Sequence, residues 1–372
     1  MKSFIYADNA ATTKLDLCAY EAMKPFFINE YGNASQPYSF SRSSKNAIKQ
    51  ARKIIAECIN CKPNEIYFTS GGTESNNWAI KESFISNMNK SIISSEIEHH
   101  AILNCLKTLA KMGCIVKYIK PNQDGLIEPS CLSKVISKNV GLVSVMLVNN
   151  EIGTIQPIKE LAKIAHLNGA IFHTDAVQAV GHIKIDVETL GVDMLSASAH
   201  KFNGPKGIGF LYIREGTNIL PYMDGGAQES NMRAGTENIP AIVGMAYALK
   251  NNCDHISENQ SKILQLENKL IELLDEANID YIRNGKNTVP GNISLSFKNK
   301  NGESILHRLD LKQILVSTGS ACNGKNTEIS HVLKAIQLDE IYAKGTIRIS
   351  LSKNNSIENI KKIAEAIIEI VR

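Results

Sequence analysis

Between Glu65 and Tyr212, short runs of β-branched and apolar residues alternate with longer stretches whose apolar positions recur at helical spacing. The short runs are Ile66 to Thr69, Ser91 to Ser94, Cys114 to Ile119, Gly141 to Val148, Ala170 to Thr174, Met194 to Ser196 and Ile208 to Tyr212. Helical patterns begin at Thr73 and Ala101 and lie around Ile158 to Leu167. A chain that returns to a strand after each helix predicts a mostly parallel sheet with helices packed on it, because parallel neighbours need a crossover. Those crossovers are expected to be right-handed.

The rhythm breaks at Leu220 to Glu237, which is Gly-rich and polar with little periodicity. Ile239 to Lys250 and Ile263 to Leu274 then read as long helices. Beyond them, strands at Gly291 to Phe297, Gln313 to Val316 and Thr346 to Ser350 interleave with helices at Gly302 to Leu309, Ser330 to Ala335 and Ile357 to Val371. This second pattern predicts a smaller α+β unit after the larger α/β one. No internal repeat or low-complexity tract interrupts either.

Composition narrows the classes. The 372 residues suffice for two or three domains, and 43% hydrophobic with 21% charged residues is ordinary for a globular chain. A net charge of +4, spread along the sequence, gives no basic stripe for nucleic acid. The longest apolar runs are strand-length, well short of the roughly 20 residues of a membrane span. Met1 to Tyr6 has neither a basic n-region nor an apolar h-region, so the cytoplasm is the expected location. The eight cysteines are scattered, and reduced thiols are expected. Cys58 and Cys61 form a CxxC without a second pair to complete a metal site, and they fall where a helical pattern ends. Packing and turn roles are expected there, and no metal.

Several polar groups stand just after predicted strands. Lys201 lies between Ser196-Ala-Ser-Ala-His and Phe-Asn-Gly-Pro-Lys-Gly, where small neighbours let a planar ring approach the backbone, and Ser198 and His200 offer donors. Alone, a Lys beside glycines is a surface turn. Phe68-Thr-Ser-Gly-Gly-Thr-Glu-Ser runs from a strand into a helix whose free N–H groups receive an anion, which makes Gly72 and Thr73 a candidate phosphate cradle. The same pattern also serves as an ordinary helix start. Asp175 ends the Ala170 to Thr174 strand, where an open α/β sheet presents ligand-binding groups, and suits a pyridine nitrogen. Asn150 and His99 follow two further strands of the same sheet. The convergence points to pyridoxal 5′-phosphate (PLP), with Lys201 as the Schiff-base lysine.

The ordered motifs Ala7-Asp-Asn-Ala-Ala-Thr-Thr, Tyr31-Gly-Asn, Thr69-Ser-Gly-Gly-Thr-Glu-Ser, Val148-Asn-Asn-Glu-Ile-Gly, Asp175-Ala-Val-Gln, Ser198-Ala-His-Lys, Arg233-Ala-Gly-Thr-Glu-Asn, Ser317-Thr-Gly-Ser-Ala-Cys and Ile347-Arg-Ile-Ser span nearly the whole chain. Together they resemble the NifS/IscS-type cysteine desulfurases, class V members of the fold-type I PLP enzymes. The resemblance implies a large domain with a mostly parallel seven-stranded sheet over residues 14–254. It implies a small α+β domain from residues 1–13 and 255–372. It further implies that Gly72, Thr73, Ser198 and His200 bind phosphate, that His99 stacks on the ring and moves protons, that Asn150 and Gln178 address the ring hydroxyl side, and that Asp175 meets the ring nitrogen. Thr236 would complete the phosphate cup of a partner subunit, so a homodimer is implied. Arg348, assisted by Asn33 and Asn150, would hold the substrate carboxylate.

Cys322, in a small and polar stretch with two glycines, carries the reaction that separates the branches of this family. The implied activity takes sulfur from L-cysteine, releases L-alanine and leaves a persulfide on Cys322 for an acceptor protein in iron-sulfur cluster, thio-cofactor or tRNA synthesis. A selenocysteine lyase, a class V aminotransferase and a PLP-binding scaffold with little turnover are the alternatives. Tyr38, Ala34, Gln36, Asp224 and Ser230 depart from the family pattern and leave rate and partner choice open, while the cofactor residues are intact.

Overall fold

The computed structural model describes residues 4–88, 90–318 and 329–372. In chain order the strands are β1 (Ile5–Tyr6), β2 (Ile66–Thr69), β3 (Ser91–Ser95), β4 (Val116–Ile119), β5 (Val140–Ser144) and β6 (Ile171–Asp175). They continue with β7 (Met194–Ser198), β8 (Gly209–Ile213), β9 (Tyr281–Asn284), β10 (Asn292–Phe297), β11 (Ile314–Leu315) and β12 (Thr346–Ser350). Strands β2 to β8 make one seven-stranded sheet in the order β2-β8-β7-β6-β5-β3-β4. All pairings from β7 across to β4 are parallel, and β8 runs antiparallel to both of its neighbours.

Both faces of this sheet are covered, and successive residues feed opposite cores. Ile93, Val143, Leu195, Phe210 and Tyr212 pack with Leu161, Met245 and Leu249. Ile92, Leu142, Met194 and Leu211, one position away on the same strands, pack with Trp78, Phe84 and Leu106. This two-residue alternation between buried faces explains why the strands read as continuous apolar or small runs rather than amphipathic ones.

The expected strand Gly141 to Val148 is shorter as regular structure, ending at Ser144. Its continuation still bonds across the end of β6, Val145 N to His173 O at 3.2 Å and Leu147 N to Asp175 O at 2.9 Å, and so delivers Asn149 and Asn150 beyond the sheet edge. Strands β1 and β9 have no counterpart in the sequence expectation. Each borrows its order from a partner, β1 from β11 and β9 from β10.

The C-terminal sheet has the order β12-β10-β9 and is antiparallel throughout. Its core joins Ile293, Leu295, Ile347 and Ile349 to Leu266 and Leu270 of helix Ile256–Glu276 and to Ile363 and Ile367 of helix Ile357–Val371. A reciprocal box between Ser356 and Asn359 caps the last helix. Helix His331–Ala335 instead packs Val332 and Leu333 into the larger core. The N-terminal segment laces the units together: Ser350 N donates to Ala7 O at 2.7 Å and Thr13 N to His200 O at 2.9 Å.

Candidate active site

The carboxyl ends of the parallel strands open into a cavity of about 460 Å³ lined from both units and from the N-terminal lace. Strand β7 passes into a single 3₁₀ turn, Ala199–Lys201, which directs Lys201 into the cavity. Its Nζ donates to the carbonyls of Ala10 at 2.6 Å and Ala11 at 2.9 Å. Gln178 also reaches Ala10 O, at 2.9 Å.

Asp175 is buried at the end of β6. Its Oδ2 accepts from Asn76 Nδ2 at 2.6 Å and its Oδ1 from Val177 N at 3.0 Å. The other side-chain atom of Asn76, Oδ1, is buried with no partner among the described residues. Asn76 stands one turn into helix Gly72–Ser86, the helix that the Gly-Gly-Thr motif opens.

That helix starts against β7. Gly71 has φ +151°, which side-chain-bearing residues rarely adopt, and a Cβ on Gly72 would lie 2.6 Å from Val177 Cγ2. Glu74 holds the start in place, accepting from Ser70 N at 2.8 Å and Arg233 Nε at 2.8 Å. Burial works against its charge, yet the bonds from Arg233 and Ser70 keep the Glu74 carboxyl below its usual range. Thr73, Ser198 and His200 line the cavity beside this helix N-terminus. His200, depressed to about 4 by burial and then by Lys201 and Lys206, is neutral near pH 7.

His99 caps helix His100–Lys111, its Nδ1 accepting from Ala101 N at 3.1 Å. Because Nδ1 is the acceptor there, the neutral ring carries its proton on Nε2. Burial depresses His99, against the opposing field of Asp175. Its neighbour Glu98 is fully buried and raised to about 8, chiefly by desolvation. Glu98 Oε1 accepts from Met146 N at 3.0 Å, whereas Oε2 has no partner among the described residues.

Arg348 projects from β12 with only 5% of its surface exposed. It donates to Asn150 O at 2.8 Å and pairs with Asp8 Oδ1 at 2.9 Å, leaving Nε without a partner among the described residues. Glu151, raised to about 7 by burial, accepts from Ser330 Oγ on the same wall.

Gly72, Thr73, His99, Asn150, Asp175, Gln178, Ser198, His200, Lys201 and Arg348 therefore share one cavity. A helix N-terminus with hydroxyl donors suits a phosphate. A buried carboxylate, a lysine amine and an imidazole on the wall of one cavity suit a flat ring carrying a basic nitrogen and an electrophilic carbon.

The class-V aminotransferase family model matches residues 5–363. A cysteine desulfurase IscS from Dictyoglomus turgidum is 46% identical, with 100% of this chain and 96% of the relative aligned. The chain belongs to the cysteine desulfurase branch of the class-V aminotransferases. Among solved structures, a NifS-like protein superposes on this desulfurase-family chain with a TM-score of 0.93 at 36% identity, covering 99% of each chain. Another, described as SspA in complex with cysteine, has a TM-score of 0.84 at 37% identity, covering 93% of this chain and 98% of its own.

Not every expected residue of this class-V chain lines the cavity. Asn33 caps its own turn, its Oδ1 accepting from Ser35 N at 2.8 Å, and exposed Thr236 lies outside the lining. Cys322 lies outside the described residues. Asn76, Glu98, Glu151 and Asp8 are additions that sequence reasoning missed. Only Asn76 had a readable signal, its position one turn after the glycine pair.

Proposed function

We propose that this chain is a PLP-dependent cysteine desulfurase that takes sulfur from L-cysteine onto Cys322 and releases L-alanine. The observation that carries the reading is the buried Asn76–Asp175 pair, at 2.6 Å, in the same cavity as Lys201 and Arg348. PLP, when bound, supplies an electron sink for the pair left at the substrate Cα.

Lys201 would hold the cofactor and, once displaced by substrate, use Nζ as the base that removes the Cα proton. Asp175 would keep a proton on the ring nitrogen, and Asn76 would keep Asp175 aimed. Gly72, Thr73, Ser198 and neutral His200 would bind phosphate, with the partner's copy of Thr236 as a further donor. His99 would lie on the ring, and its Nε2–H would serve as a proton source. Asn150 and Gln178 would meet the ring hydroxyl side. Arg348 would exchange its bond to Asp8 for the substrate carboxylate, which a guanidinium fork fits, and Asn33 would assist from outside the present lining. The Cys322 thiolate would attack the substrate sulfur, forming the S–S bond as the C–S bond breaks.

With this reading we propose the two-domain division at residues 14–254 against 1–13 and 255–372, a cytoplasmic homodimer, and delivery of sulfur to an acceptor protein. The dimer is supported by the exposed apolar side chains Leu17, Phe27, Ile28, Tyr31, Tyr38 and Phe40, grouped between residues 17 and 40. The deciding experiment is mass spectrometry of the holoprotein after incubation with L-cysteine. Added sulfur on Cys322, with alanine in the supernatant, is expected. Alanine formation at full rate in Cys322→Ala would overturn the reading.

A further inference from the structure

Helices Arg42–Ile59 and Ile239–Asp254 pack side by side, and their last turns bring together two thiols that the proposed reaction does not use. Cys58 and Cys253 line one cleft there, near enough that each thiol is the first influence on the other's acidity. Both are half-buried on the wall of this cleft of about 460 Å³, separate from the cavity that holds Lys201. Lys184 and Lys250 line the same cleft, together with Glu57, Asp186 and Asp254.

From this juxtaposition we infer that Cys58 and Cys253 form a redox-active dithiol, a modification site that closes to a disulfide when a small disulfide such as oxidised glutathione enters the cleft. The inference is independent of the catalytic reading. Lys184 and Lys250 give the carboxylates of such a reagent cationic neighbours in the cleft, Lys250 exchanging its 2.9 Å bond to Asp254 for the reagent. Of the two, Cys253 is the thiol whose acidity the pairing raises. The adjacent Cys58 thiol first, against desolvation and the neighbouring Asp254 and with help from Lys250, favours its thiolate. The adjacent Cys253, with burial, pushes Cys58 up and keeps it protonated until it is needed.

Cys61 differs. It is pushed up to about 12 by burial and then by Glu65 and Glu188, and it does not line the cleft. The helix has already ended at left-handed Asn60, φ +57°, where Cys61 N folds back to Ala56 O at 3.0 Å. The CxxC spacing thus places its two thiols in different surroundings, and the thiol that pairs with Cys58 comes from the far end of the large unit.

The reaction balances as two exchanges. Cys253 thiolate attacks one sulfur of oxidised glutathione, forming a mixed disulfide and expelling one glutathione thiolate. Cys58 then loses its proton and attacks Cys253 Sγ, forming the protein disulfide and expelling the second glutathione. Two electrons pass from the protein dithiol to glutathione disulfide, and the two thiol protons end on the two glutathiones. The product staples helices whose ends are separated by about two hundred residues of chain, which constrains the unfolded state.

The test equilibrates reduced full-length holoprotein with mixed reduced and oxidised glutathione, alkylates it, and maps peptides by mass spectrometry without reduction. The expected product is a cross-linked pair containing Cys58 and Cys253, lighter by two hydrogens, retained in Cys61→Ser and absent in Cys58→Ser. Oxidation is also expected to raise Tm by several degrees in the parent and not in Cys58→Ser. Recovery of both thiols separately alkylated, a glutathione adduct on Cys253 that never resolves, or a link from Cys58 to Cys61 would each overturn the inference.

Discussion

Asn76 Nδ2 donates to Asp175 Oδ2 at 2.6 Å inside the cavity, and neither side chain has appreciable exposure. A carboxylate in such a place has lost most of its water, so the amide is a large part of what orients it. Asn76→Ala is expected to weaken PLP binding by about 10- to 100-fold, the equivalent of one hydrogen bond to a charged group at about 1.5–3 kcal/mol. Absorbance titration with PLP measures it. Unchanged affinity would remove Asn76 from the site.

Lys201 sits between its carbonyl partners on Ala10 and Ala11 and the cavity. In Lys201→Ala, borohydride treatment in the presence of PLP should leave no cofactor covalently attached, whereas the parent chain should carry it on the peptide containing Lys201. Labelling at another lysine in the parent protein would contradict the assignment.

Arg348 is expected to govern substrate affinity. Arg348→Ala should raise KM for L-cysteine at least about tenfold, from the loss of a charged hydrogen-bond pair, and should leave PLP binding intact. Steady-state alanine release against cysteine concentration reads this out. A fall in kcat alone, with KM unmoved, would place Arg348 elsewhere in the cycle.

Glu98 predicts a pH dependence with a definite sign. Its carboxyl is raised from 4.5 to about 8 by burial, so between those values the folded state binds more protons than the unfolded state. Its contribution to stability is therefore fully present below about 4.5 and falls as pH rises through about 8. Glu98→Gln removes that dependence while Oε1 can still accept from Met146 N. The Tm advantage of the variant over the parent should grow from pH 5 to pH 8 and level off above; a constant difference would refute the assignment.

Arg52 and Glu229 form a bidentate pair in which Glu229 is nearly buried, and Arg52 also lies over Phe68 at 4.4 Å. Arg52→Leu leaves the acid without its cation and should cost about 3–5 kcal/mol in urea denaturation. The pair anchors Glu229, Ser230 and Asn231, three consecutive left-handed residues. A loss below about 1 kcal/mol would mean the strained turn holds without it.

Much of the cavity was legible because its groups follow strands. Asp175, Lys201 and the Gly71–Gly72 turn each lie where a β-rich run gives way to polar or small residues, and a parallel sheet presents all such ends on one side. Asn150 lines the cavity although the regular strand before it is shorter than expected, since the irregular continuation from Val145 still tracks the end of β6. Short strands such as Ile5–Tyr6 and Tyr281–Asn284 were not legible, because a few residues acquire order only from the partner they pair with.

Residue order alone determined the helix-covered parallel sheet, the change of pattern after Leu220, and the side of the sheet on which chemistry gathers, because periodicity and strand ends are local properties. Only the tertiary structure decided that Asp8 meets Arg348, that Asn76 meets Asp175, that Glu98 stays buried and protonated near neutral pH, and that Cys58 finds Cys253 rather than Cys61. Those relationships join segments up to 340 residues apart, and desolvation and hydrogen-bond geometry exist only once the segments have packed.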